Sequence, residues 1–150
     1  MISVIIPVYN EEKTIAALVT YLKQHGGSLL QEIIVCDAAS TDATKEEAAK
    51  AGATVMVSPE KGRGAQLNYG ASKASGSVFY FVHADVFPPQ SFAADIQQVI
   101  RDGFTLGRYR TKFNSSKWYL PFNAWFTRFD WFICYGGDQT LFITKELFQA

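Results

Sequence analysis

Four short apolar runs punctuate the first half of the chain, at Ile2 to Pro7, Glu32 to Cys36, Thr54 to Val57 and Val78 to Val82. They are rich in β-branched and aromatic residues and too short for helices of ordinary length, so each predicts a strand. Val78 to Val82 is apolar without a break, which is the pattern of a strand buried on both faces. Between the runs lie segments of helical spacing. The first, over about Glu11 to Gln24, puts Ile15, Leu18, Val19 and Leu22 on one face. Asn10 reads as its N-cap, Glu11 and Glu12 suit the positive end of the helix dipole, and His25-Gly26-Gly27 closes it. His25 reads as a helix C-terminal residue. Further helices are expected over Asp42 to Ala51, capped by Ser40 or Thr41 and closed by Gly52, over Ala65 to Ala74, and over Ser91 to Arg101.

Strands and helices alternating in this way imply a mainly parallel α/β sheet with right-handed crossovers and helices on both faces. With 150 residues, 48% of them apolar, the chain suits one domain with one sizeable core. In the usual doubly wound order the first and fourth strands are neighbours, and ligands sit in the crevice at their carboxyl ends. Acids stand at two such ends. Glu32 to Cys36 runs into Asp37, and Val78 to Val82 runs into His83-Ala84-Asp85. A carboxylate where a buried strand surfaces is costly unless something there uses its charge. Asp85 is therefore a candidate metal or ligand contact, or else a turn residue before Pro88-Pro89. The loop Ser58 to Gly64 adds Lys61 and Arg63 between glycines that permit close approach. Two acids facing a basic glycine loop suit a phosphorylated ligand held through a divalent cation.

Beyond the helix at Ser91 to Arg101 the pattern changes. Thr105 to Phe113 alternates loosely and carries Arg108, Arg110 and Lys112, as a strand with one basic face would. Trp118 to Tyr135 is dense in aromatic residues, but Pro121, Asn123, Arg128 and Asp130 interrupt it. That stretch can pack on the sheet, form a homodimer contact or lie peripherally in a membrane interface. Asp138, after Gly136-Gly137, is a tight-turn residue or an acid that reaches an acceptor. A last strand, Thr140 to Ile143, precedes a helix opening at Thr144.

Charge is balanced at 14 basic against 14 acidic residues, so the chain as a whole offers nucleic acid no electrostatic footprint. The two cysteines, Cys36 and Cys134, have no neighbours at metal-ligand spacing, which argues against zinc or a disulfide framework and for a reducing cytoplasm. The N-terminus shows no secretory leader pattern, and no apolar run is long enough to span a bilayer.

Three motifs in order, SVIIPVYNEE at Ser3 to Glu12, IIVCDAASTD at Ile33 to Asp42 and GRGAQLNYGASKASGSVFYFVHAD at Gly62 to Asp85, closely resemble the family 2 nucleotide-diphospho-sugar glycosyltransferases of GT-A fold. The resemblance covers the whole chain. It implies that Pro7, Tyr9 and Glu11 line the nucleotide, that Asp37 hydrogen-bonds the base or ribose, and that Asp85 holds Mg²⁺ or Mn²⁺ against the diphosphate. It also implies that Lys61 and Arg63 meet the phosphates. The family's D-x-D reads His83-Ala84-Asp85 here, and with the later GDQ this is similar to a bacterial branch labelled arsenosugar-biosynthesis glycosyltransferases. His83 is then a second metal ligand, a phosphate donor, or a residue facing the core.

The implied activity is inverting transfer of a hexose from a UDP- or GDP-linked sugar to a hydroxyl acceptor. Residues 1–104 would form the nucleotide half and 105–150 the start of the acceptor half. The family's general base lies C-terminal to the region matching Thr140 to Phe148, so the chain is expected to end short of it, with Asp138, the only late acid in a glycine-rich turn, the candidate base within it. A donor-binding module or fragment without its base is the alternative. A nucleotidyltransferase is less favoured, because Pro7-Val8-Tyr9-Asn10 carries no glycine after the first strand.

Overall fold

The computed structural model describes residues 1–109 and 140–150. Their strands are β1 (Ile2–Val8), β2 (Leu30–Asp37), β3 (Thr54–Val57), β4 (Val78–Phe81), β5 (Leu106–Arg108) and β6 (Leu141–Thr144). The α-helices are α1 (Ile15–Gly26), α2 (Thr44–Lys50), α3 (Arg63–Lys73), α4 (Phe92–Arg101) and α5 (Lys145–Gln149). The described strands form one sheet in the order β3-β2-β1-β4-β6-β5. β3, β2, β1 and β4 are mutually parallel, whereas β6 runs antiparallel to both β4 and β5. The expected α/β architecture is thus present, with β1 and β4 adjacent.

Alternation along the strands divides the core between the two faces. Ile2, Val4, Ile6 and Val8 of β1 join Ile15, Leu18, Val19 and Leu22 of α1 and Phe92, Ala93 and Ile96 of α4. On the opposite face Ile5, Ile34 and Cys36 meet Ala71 of α3, with Phe79 and Phe81 against Phe148. The apolar stripe anticipated for the first helix is the one buried. Gly70 lets α3 lie close on this second face, because a Cβ there would stand 2.6 Å from both Cys36 Sγ and Ile5 Cγ2. Burial of this kind contributes about 1.5–3 kcal/mol per large aliphatic side chain.

Local expectations fail chiefly at the helix starts. α1 opens at Ile15 instead of Glu11, and Asn10 is no N-cap: it takes a left-handed φ of 56° and turns its side chain to the neighbouring loop. α2 begins at Thr44, and neither Ser40 nor Thr41 caps it. Both residues are drawn off by long-range hydrogen bonds, which outbid a local cap. α3 starts earlier than expected, at Arg63, after Gly62 with φ 121°. β1 continues through Pro7 to Val8, and the described part of the basic strand is Leu106–Arg108. Asp138, Cys134, Arg110, Lys112 and the aromatic stretch 118–135 lie outside the described residues. Among the described residues no helix is long and apolar enough to cross a membrane.

Candidate active site

β1 separates from β4 partway along its length. Their register ends at Ile5 opposite Phe81, after which Val82 N–H donates to the Ile5 carbonyl at 3.1 Å. Pairing of β1 with β2 continues to Val8 opposite Asp37, and Ala38 N–H donates to the Val8 carbonyl at 3.0 Å. Successive residues of a parallel strand direct their backbone groups to alternate sides, so Pro7, like Ile5, is turned toward β4. A proline in a central strand normally breaks a ladder bond. Here it stands where β4 has already ended, and its missing N–H costs nothing.

The gap is a cleft of about 220 Å³ lined by Pro7, Val8, Tyr9 and Glu11 from the β1 exit, Arg63 and Gln66 from α3, and His83, Ala84 and Asp85 from the β4 exit. Asp85 is exposed at the mouth, His83 is half-buried, and Tyr9 keeps 53% of its surface accessible. Lys61 is exposed beside them, its Nζ 5.8 Å from the centre of the Tyr9 ring. Arg63 is the first residue of α3, whose N-terminus carries positive partial charge. Glu11 accepts a hydrogen bond from the Thr14 hydroxyl at 2.7 Å.

Asp37 is placed differently from expectation. It is fully buried and is not among the lining residues, although its register partner Val8 is. Its Oδ2 accepts from Ser40 N–H at 2.8 Å, and its Oδ1 has no partner among the described residues. A buried carboxylate oxygen left without a donor is an uncommon expense in a folded chain. Gln66, which sequence reasoning passed over, is a second buried polar group. It is 5% exposed, and its Nε2 donates to the carbonyls of Val8 at 2.9 Å and Cys36 at 2.6 Å. It pins the ends of β1 and β2 together from α3. A glutamine at a core-facing helical position, straight after the glycine loop, was the available signal.

The turn carrying Tyr9 and Glu11 is held by the loop after β2. Asn10 N–H donates to Ser40 Oγ at 2.9 Å, Glu11 N–H to Thr44 Oγ1 at 2.7 Å and Glu12 N–H to Asp42 Oδ2 at 3.2 Å. In return, Thr41 N–H donates to Asn10 Oδ1 at 2.9 Å and Ala43 N–H to Glu12 Oε2 at 3.1 Å. Desolvation raises the pKa of Asp42, but hydrogen bonds from the Thr44 hydroxyl and the Thr44 and Glu12 amides outweigh it and hold the carboxyl below its usual range. Left-handed backbone at Asn10 and at Ala39, φ 61°, is sustained by this lacing.

These residues fit a divalent cation that arrives with its ligand. Mg²⁺ at a phosphate site takes one or two protein carboxylates, with phosphate oxygens and water completing the shell. Asp85 is the carboxylate at the mouth that could serve in this way, and His83 lines the same cleft. Among the described residues there is no group of three or more His, Cys, Asp and Glu gathered as a self-sufficient metal cage.

A family model described as glycosyl transferase family 2 matches residues 3–146. Glucosyl-3-phosphoglycerate synthase of Mycolicibacterium smegmatis is 35% identical over 96 residues, covering 59% of this chain and 32% of that protein. Dolichol-phosphate mannosyltransferase of Pyrococcus furiosus is 32% identical over 107 residues, 68% of this chain and 30% of that one. Protein RfbJ of Shigella flexneri is 38% identical over 84 residues, 56% of this chain and 64% of its own length. Among solved structures, Mycobacterium tuberculosis glucosyl-3-phosphoglycerate synthase in complex with Mg²⁺ and uridine diphosphate superposes with a TM-score of 0.72 at 22% identity, covering 98% of this chain and 57% of that one. The same protein with Mn²⁺, UDP-glucose and phosphoglyceric acid gives 0.72 at 21% identity, over 98% and 57% of the two chains. The chain therefore spans about a third of the first of these curated relatives and a little over half of the solved structures.

Proposed function

The chain belongs to glycosyl transferase family 2, and on that footing we propose that it is an inverting, metal-assisted glycosyltransferase that moves a hexose from a UDP- or GDP-linked sugar to a hydroxyl acceptor. The observation that carries the proposal is the cleft at the split between β1 and β4, which sets acids and a base around a space open at the carboxyl edge of the sheet. Tyr9 and Pro7 offer the base and ribose an apolar wall, with Glu11 a polar acceptor beside it. The unpartnered Oδ1 of Asp37, just behind Val8, is suited to accept an N–H or hydroxyl from the nucleoside once the wall admits it.

Asp85, with His83 as the second candidate, would hold Mg²⁺ or Mn²⁺, and Lys61 and Arg63 would meet the diphosphate. A bound cation supplies charge neutralisation for the departing nucleoside diphosphate. The chain's own part is to orient the donor: the laced turns fix Tyr9 and Glu11, and the α3 N-terminus with Arg63 opposes the phosphate charge. The solved relative supports this reading, since it binds uridine diphosphate with Mg²⁺ and UDP-glucose with Mn²⁺.

We assign residues 1–104 to the donor half and 105–150 to the acceptor side, with Asp138 the candidate base there. The stretch 118–135 is the candidate for a homodimer or peripheral membrane contact. The bacterial arsenosugar branch and a cytoplasmic setting belong to the same reading; the buried Cys36 thiol agrees with the latter. A donor-binding module that does not itself transfer sugar is the second reading, since the groups lining the cleft are of the kind that hold a nucleotide.

Calorimetry with UDP and GDP, with and without MnCl₂, tests the proposal. One of the two nucleotides should bind, more tightly with Mn²⁺, and Asp85→Asn should abolish the Mn²⁺ gain. Binding of neither nucleotide in either condition overturns the proposal, and an Asp85→Asn variant that keeps its Mn²⁺ dependence removes Asp85 from its role.

A further inference from the structure

The segment from His83 to Ser91 carries the acid at the mouth of the cleft, with Ala84 and Pro88 buried at either side of the exposed Asp85 and the Ser91 hydroxyl donating to Asp95 Oδ2 at 2.7 Å. Val86 N–H donates to the His83 carbonyl at 3.1 Å, and Phe92 N–H donates to the Pro89 carbonyl at 3.0 Å. Pro88 and Pro89 have no N–H to contribute. The Pro88 carbonyl is instead tied across the fold, to the Tyr21 hydroxyl of α1, 67 residues away in sequence and at 2.6 Å. The Tyr21 ring touches the His25 ring, with centroids 4.4 Å apart, and the Phe87 ring, edge-on at 5.2 Å.

Tyr21 does not belong to the core face of α1. That face is Ile15, Leu18, Val19 and Leu22, all fully buried, whereas Tyr21 is half-buried and Phe87 is 50% exposed. Phenylalanine at position 21 would keep both ring contacts and the helix. What the hydroxyl adds is a single tether, and it acts on the turn that presents His83 and Asp85.

Resting on the reading of Asp85 given above, we propose that Tyr21 is a positioning residue for the donor site, holding the Asp85 turn where a cation can bridge carboxylate and diphosphate. Cation sites tolerate little displacement, because Mg²⁺ demands near-ideal octahedral geometry. A turn released at Pro88 still forms but samples other placements of the carboxylate. The loss therefore falls on metal-dependent binding and spares contacts made by Tyr9, Glu11 and Arg63.

The test is UDP calorimetry on the chain in EDTA and in MnCl₂, with thermal melts, for the wild type, Tyr21→Phe, Asp85→Asn and Thr20→Val. Thr20 is a matched control on the same helix, its exposed hydroxyl donating to the Ala16 carbonyl at 2.8 Å. Tyr21→Phe should reduce the Mn²⁺-dependent gain in UDP affinity roughly threefold to tenfold, as expected for one net hydrogen bond, with EDTA affinity and melting temperature close to wild type. Thr20→Val should change neither. An undiminished gain in Tyr21→Phe, where Asp85→Asn abolishes it, overturns this inference and leaves the assignment of Asp85 standing. Equal losses in EDTA and MnCl₂, or a large drop in melting temperature, also overturn it by showing a general structural role. If wild type binds neither UDP nor, in the same series repeated with it, GDP, or if Asp85→Asn keeps the gain, the reading of the site falls and the inference with it.

Discussion

Replacing Gln66 by methionine keeps the side chain's length and removes its donor. Two buried carbonyls, those of Val8 and Cys36, then lose partners at 2.9 and 2.6 Å. A neutral hydrogen bond contributes about 0.5–1.5 kcal/mol net, and a buried acceptor left unmet costs about 1–3 kcal/mol. Each keeps one ladder partner, however: Ala38 N–H reaches the Val8 carbonyl at 3.0 Å, and the Val8–Asp37 register sets Val8 N–H on the Cys36 carbonyl, so neither is wholly orphaned. The expected destabilisation is therefore that of two net hydrogen bonds, about 1–3 kcal/mol, with little of it from packing because methionine fills a similar volume. Urea unfolding followed by circular dichroism should show a lower midpoint at unchanged slope. The melting temperature should fall by roughly 2–12 °C, given about 2–4 °C per kcal/mol for chains of this size. Since Val8 and Gln66 both line the cleft, nucleotide affinity should fall with stability. A loss below about 0.5 kcal/mol, within the range of surface substitutions, would refute the view that Gln66 clamps the two strand ends.

Three further outcomes follow from other contacts. Burial raises the pKa of Glu32, but hydrogen bonds from the Ser75 amide and the Ser3 and Ser75 hydroxyls, with the Gly76 amide, outweigh it and hold the carboxyl below its ordinary 4.5. With the folded pKa depressed, its stabilisation is fully present above 4.5 and fades as pH falls through the folded value, so urea midpoints of wild type and Glu32→Gln should differ most at neutral pH and converge in acid. Gly70→Ala should destabilise the chain by about 1–3 kcal/mol in thermal melts, since its Cβ would stand 2.6 Å from Cys36 Sγ and Ile5 Cγ2. Ser40→Ala removes the acceptor for Asn10 N–H, and should cost about 1–2 kcal/mol and weaken nucleotide binding severalfold in calorimetry by loosening the Tyr9 turn.

The strands and the apolar faces of the helices were legible because they are periodic, and period is a local property. Ile15, Leu18, Val19 and Leu22 announce a buried stripe, and all four are buried. That Asp85 and Arg63 share one cleft could be anticipated for a different reason: a charge where a buried strand ends, or inside a glycine loop, is conspicuous against its neighbours. Asn10 misled because a good capping residue next to a helix is cheap to capture elsewhere; its amide and side chain bond Ser40 and Thr41, some 30 residues on. Gln66 was hidden by its ordinary composition and shows only through the two carbonyls it meets.

From sequence alone followed the α/β class, the acids at the strand exits and the neighbourhood of the first and fourth strands, since hydrophobic period and short crossovers leave few alternatives. The tertiary structure alone decided that β6 runs antiparallel beside β4, that the cleft opens where β1 leaves β4 at Pro7, and that Asp37 is buried behind Val8 while Asp85 faces out. Each of these depends on which distant backbone groups find one another, and hydrogen bonds between segments far apart in the chain leave no periodic trace in it.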